Sequence, residues 1–115
     1  MKAKLLRIFN HFGIETQKRK LNEECYEFLQ AVCEWQAKPT ADTRTHVVEE
    51  LADCLVVLKQ FQHHFGIDEQ TIKEWCDYKT ERTLKRIESE PLTDNLFDDG
   101  IDCKAFLEEQ FKLKL

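Results

Sequence analysis

The chain has 115 residues, enough for one domain with a real hydrophobic core but only modest stability. Hydrophobic residues make up 42% and charged residues 34%, a globular composition that excludes a disordered chain. The net charge of −5, without any long basic run, argues against a nucleic-acid polymer as ligand, because displacing counterions needs clustered Lys and Arg.

Only three Gly and two Pro interrupt the chain, so long helices are expected and the fold class is all-α. The first helix covers Lys2 to Phe12, with Leu5, Ile8, Phe9 and Phe12 at helical spacing and Gly13 as its stop. A second runs from about Gln17 to Ala37, stopped by Pro39, with Leu21, Cys25, Phe28, Leu29 and Val32 as its apolar stripe. Asp42 or Thr43 can cap a third helix whose stripe is Val47, Val48, Leu51, Cys54, Leu55, Leu58 and Phe61, closed by Gly66 at C′. Asp68 then caps a fourth helix, striped by Ile72, Trp75, Cys76, Thr83 and Ile87 and ending before Pro91. This divides the chain into a helical domain, 1–90, and an Asp-rich extension, 91–115, with a short helix near its end. No apolar run approaches the roughly 20 residues of a membrane span. The odd cysteine count and the lack of a signal peptide point to the cytoplasm, with the four cysteines in apolar-periodic stretches as small buried hydrophobes.

Two stretches stand out, Leu21-Asn-Glu-Glu-Cys-Tyr-Glu-Phe-Leu29 and Val48-Glu-Glu-Leu-Ala-Asp-Cys-Leu-Val56. Glu24 and Glu27 are spaced i, i+3, as are Glu50 and Asp53, which puts each pair on one side of its helix. At about 100° per residue, Glu24 and Glu50 border the apolar stripes while Glu23 points to the solvated face. Side-by-side packing of the two helices would bring four carboxylates to one edge of the core, where they repel one another unless a cation bridges them. Oxygen-only ligands suit Mg²⁺ or Mn²⁺. Such a cation could also bind triphosphate oxygens and activate a water for attack on phosphorus. With 22 acidic residues in the chain, spacing alone leaves a solvated acidic face and a metal site both open.

The stretches resemble the MazG-like all-α nucleoside triphosphate pyrophosphohydrolases, whose signature is E-E-x-x-E followed by E-x-x-D. Here it reads Glu23-Glu24-Cys25-Tyr26-Glu27, then Glu50-Leu51-Ala52-Asp53, and the likeness covers roughly Gly13 to Ile87. The resemblance implies Mg²⁺-dependent cleavage of a nucleoside triphosphate between the α- and β-phosphates, with Mn²⁺ as a possible substitute. It also implies Glu24, Glu27, Glu50 and Asp53 as metal ligands and assembly as a homodimer or dimer of dimers. Within the superfamily the alternatives are a dUTP- or dCTP-specific hydrolase and phosphoribosyl-ATP pyrophosphohydrolase, the latter disfavoured because nothing beyond the shared acidic motif matches it. Outside it, the alternative is a non-catalytic helical bundle that binds a protein partner.

Substrate contacts are expected from Lys79 and Arg82, basic residues on the inward side of the fourth helix, and from Gln17, one of the polar residues one and two turns before Glu24. Snorkelling Lys and Arg stems and helix-entry polarity are the plainer accounts of the same residues. Trp35 and Trp75 read as core or interface aromatics, and His46, on the Glu50 side of its helix, as a surface or capping histidine. Val56 is apolar on the opposite side of the third helix from Glu50 and Asp53, with Tyr26 similarly placed on the second, which predicts a subunit contact.

Overall fold

A computed structural model describes residues 1–89, which form four helices: α1 (Lys2–Phe12), α2 (Ile14–Ala37), α3 (Ala41–His64) and α4 (Glu69–Ser89). The expected 91–115 extension lies outside the described residues. Gly13, at φ 86°, separates α1 from α2, a conformation an L side chain resists. α2 therefore begins at Ile14, a turn earlier than its apolar pattern suggests.

Thr40 caps α3, rather than Asp42 or Thr43. Its Oγ1 accepts from the Thr43 backbone N–H at 3.1 Å while the Thr43 hydroxyl accepts from the Thr40 N–H at 3.0 Å, a reciprocal capping box. At the other end Gly66, φ 67°, lets its own N–H reach the His63 carbonyl and that of Ile67 reach the Gln62 carbonyl. These two bonds close α3 in a Schellman motif. Asp68 caps α4 as expected, Oδ1 accepting from the Thr71 N–H at 2.7 Å.

α2 and α3 form an antiparallel hairpin, its register marked by Gln17 against Gln60 at one end and Glu34 against His46 at the other. α1 lies across both, with Leu5 and Phe9 buried. Phe9 packs edge-on against Phe61 at 5.1 Å and stacks on His64 at 4.4 Å.

The hairpin seam differs from the apolar stripes read off the sequence. Its buried residues are Gln17, Glu24 and Ala31 on α2 and Cys54, Val57 and Gln60 on α3. Leu21, Cys25, Phe28, Leu29 and Val32 are half-buried, while Val48, Leu51, Leu55 and Leu58 are exposed. The reason is close approach: with the fully buried Ala31 and the small Cys54 and Val57 between them, the helices meet along their small and polar residues. The bulky stripe of α3 is thereby turned outward.

α4 is the second correction. Among the described residues it packs against none of the other three helices and buries no side chain, so Ile72, Trp75 and Ile87 are exposed instead of inward. Cys25, Cys54 and Cys76 are free thiols, whereas Cys33 is disulfide-bonded; Cys33 and the exposed Cys76 depart from the reading of the helical cysteines as small buried hydrophobes.

Candidate metal centre

Helical spacing places Glu24 and Glu27 one turn apart on α2, and the antiparallel register sets Glu50 of α3 beside them. Each of the three carboxylates offers an oxygen within 4.8 Å of the others. Asp53 stands one turn further along α3, exposed and outside this trio. Glu24 lies deepest at 5% exposure, Glu50 is half-buried, and Glu27 sits at the open rim.

The two inner carboxylates share a pattern. Glu24 Oε1 accepts from Lys20 Nζ at 2.8 Å, and Glu50 Oε1 lies 3.2 Å from His46 Nε2. The second oxygen of each, Glu24 Oε2 and Glu50 Oε2, is buried without a hydrogen-bond partner. A buried, unpaired carboxylate oxygen is costly, and two of them on facing helices within one acidic group call for a cation. Oxygen donors with room for further ligands at an open rim match a hard divalent ion such as Mg²⁺ or Mn²⁺.

Charge crowding shows in the proton affinities. Partial desolvation, then the charges of the neighbouring Glu24 and Glu50 carboxylates, raise Glu27 above the usual carboxylate range. Behind the acidic group, burial and the adjacent Cys25 thiol, with smaller contributions from Glu24 and Glu50, push Cys54 up to about 11. Cys54 is thus a neutral thiol and not a nucleophile. The hydrogen bond to Glu34, reinforced by the charges of Glu34 and Glu50, raises His46.

The remaining site expectations fall elsewhere. Gln17 is buried, and its Nε2 donates to Gln60 Oε1 at 2.8 Å. Lys79 and Arg82 lie on α4, which within one chain does not reach the acidic group, and the Arg82 guanidinium rests over the Tyr78 ring at 5.8 Å. Two residues that touch the carboxylates, Lys20 and His46, fall from the sequence on the Glu24 stripe and on the Glu50 side of their helices, but were given no role at the site. Each stands four positions before the glutamate it contacts, so a basic residue at i−4 of an acidic-motif glutamate was the available signal.

Compared with family models, residues 12–87, more than half of the chain, match the MazG nucleotide pyrophosphohydrolase domain. No curated protein and no solved structure matches the chain. Among the described residues no helix is long and apolar enough to cross a membrane.

Proposed function

The chain belongs to the MazG nucleotide pyrophosphohydrolase domain family, and on that premise we propose that it hydrolyses a nucleoside triphosphate to the monophosphate and pyrophosphate in the cytoplasm. The reaction would depend on Mg²⁺, with Mn²⁺ able to substitute, held by Glu24, Glu27, Glu50 and Asp53. The observation that carries this reading is the pair of buried, unpartnered oxygens, Glu24 Oε2 and Glu50 Oε2, on facing helices.

The cation, when bound, would supply positive charge against the negative charge that builds on the phosphoryl oxygens. The protein's share is arrangement. Glu24 and Glu50 anchor from inside the seam, where low exposure excludes competing water and strengthens their pull on a cation. Glu27 at the rim lies where a triphosphate would enter, and Asp53 lies one turn beyond Glu50, on the same side of α3. Rim and base together grade from open to closed, so the phosphates can approach while the ligands stay fixed.

Among the described residues of one chain, Lys79 and Arg82 stand away from the acidic group. Among the same described residues, the exposed stripe of Val48, Leu51, Leu55 and Leu58, together with Val56 and an α4 that packs on no other described helix, is more apolar surface than a monomer favours. We assign it to a homodimer or dimer of dimers. In that assembly Lys79 and Arg82 of α4 would come to the triphosphate, and Gln17 would serve the substrate from the seam. The same exposed stripe also favours a second reading, a non-catalytic bundle that binds a protein partner.

Pyrophosphate release from a panel of ribo- and deoxyribonucleoside triphosphates, with Mg²⁺ and with EDTA, separates the two. Mg²⁺-dependent release supports hydrolysis, and a strong preference for dUTP or dCTP selects the narrower enzyme. No release from any member of the panel would sink the catalytic reading.

A further inference from the structure

We propose that His46, braced by Glu34, is a positioning residue for the metal centre: it holds the outer oxygen of Glu50 so that the inner one faces the cation. The inference rests on the reading of Glu24, Glu27 and Glu50 as a divalent-cation site.

Two contacts fix the imidazole. Its Nε2 lies 3.2 Å from Glu50 Oε1 on its own helix, and its Nδ1 lies 3.1 Å from Glu34 Oε2 on α2. Glu50 and Glu34 both accept, so the ring, which spans the hairpin between them, is held from both helices when each of its nitrogens carries a proton. Glu50 has three rotatable side-chain bonds, and the contact at Oε1 selects among its orientations. The contact at Oε1 leaves Oε2 buried and unpartnered on a carboxylate that groups with Glu24 and Glu27, which is what a single-oxygen ligand requires.

Helix stabilisation is a poor explanation of the same contacts. A basic residue four positions before an acidic one is the weaker order for an i, i+4 pair. The Glu34 contact lies outside that pattern altogether, since it crosses from α3 to α2. Hydrogen bonds to metal-ligating groups orient them, and their loss costs about 10–100-fold in metal affinity. His46 and Glu34 are both substantially solvent-exposed, which sets the expectation at the lower end of that range, about tenfold.

Charge gives the opposite sign and makes the test decisive. Were His46 only a nearby positive charge, its removal would tighten cation binding. The measurement is Mn²⁺ affinity by titration, with free Mn²⁺ read from its electron paramagnetic resonance signal, and no substrate present. His46→Ala is expected to weaken binding about tenfold, with the metal-free melting temperature little changed, and His46→Gln, which can still donate to Glu50, to recover most of it. Glu34→Ala is expected to weaken binding less, and to add nothing once His46 is already Ala.

Mn²⁺ binding by His46→Ala that equals or exceeds the wild type overturns the proposal. An effect of Glu34→Ala that persists undiminished in the His46→Ala background is bare charge, and overturns the brace. Wild-type protein that binds no Mn²⁺ saturably ends both this inference and the metal-site reading. Saturable wild-type binding with an indifferent His46→Ala ends this one alone.

Discussion

Gln17 Nε2 donates to Gln60 Oε1 across 2.8 Å inside the α2–α3 seam, and both side chains are almost completely buried. A buried amide pair stabilises only while both partners remain. Gln17→Ala should therefore destabilise the protein by about 1–3 kcal/mol, because Gln60 is left unpaired. Replacing both with Leu should come much closer to neutral. Denaturant titration of the two variants checks this. If Gln17 also touches the nucleotide, the double Leu variant will be stable yet impaired in KM; unchanged kinetics would leave it a packing residue alone.

Glu27 is the cleanest probe of charge crowding, since its neighbours Glu24 and Glu50 each lose a basic partner when altered. Its raised proton affinity means that the folded state holds a proton to higher pH than the unfolded chain. Without metal, its contribution to stability is therefore greatest at low pH. It declines as pH rises from the ordinary carboxylate range through the raised value. Glu27→Gln should melt in EDTA at or above the wild-type temperature at neutral pH, with the gap closing in acid. It should also lose hydrolysis and most of the Mg²⁺-induced rise in melting temperature. A variant that stays fully active, or melts well below wild type in EDTA, contradicts the crowded metal site.

At the start of α4, the Thr71 backbone N–H bonded to Asp68 holds that carboxyl below the usual range. A depressed carboxyl contributes stability that is present above its unfolded value and is lost as pH falls through the folded one. Acid should therefore loosen the first turn of α4 more in the wild type than in Asp68→Asn, whose amide oxygen can still cap but does not titrate. The difference between their far-ultraviolet dichroism curves isolates this group. Coincident curves down to the lowest pH would mean the cap carries no pH dependence.

Assembly and substrate binding should be coupled through α3 and α4. Sedimentation should find a stable dimer at micromolar concentration, and Leu51→Glu with Leu55→Glu on the exposed stripe should shift it to monomer. Lys79→Ala should leave the dimer intact and lower kcat/KM about tenfold, equivalent to roughly 1.4 kcal/mol. A wild-type monomer would remove the reason for bringing α4 to the acidic group. Wild-type kinetics in Lys79→Ala would return that residue to solvent.

Some of this architecture is written along the chain itself. Gly13 and Gly66 stop helices because their backbones take positive φ, and Asp68 starts one because its side chain reaches the next N–H. The i, i+3 spacing of Glu24 with Glu27 and Glu50 with Asp53 is likewise a local matter, settled by helical pitch before any helix packs. Rotation of each helix about its axis is not local. Leu51, Leu55 and Leu58 read as core, yet the close approach at Ala31, Cys54 and Val57 turns them outward, and the polar Gln17 and Gln60 take the buried line. α4 has the N-terminal cap and stripe of a packed helix but, among the described residues, its apolar face meets no other helix. The candidate metal centre divides the same way. The acidic residue types were legible, while the trio of Glu24, Glu27 and Glu50 and the bridge from His46 to Glu34 exist only because the antiparallel register sets one helix face opposite another.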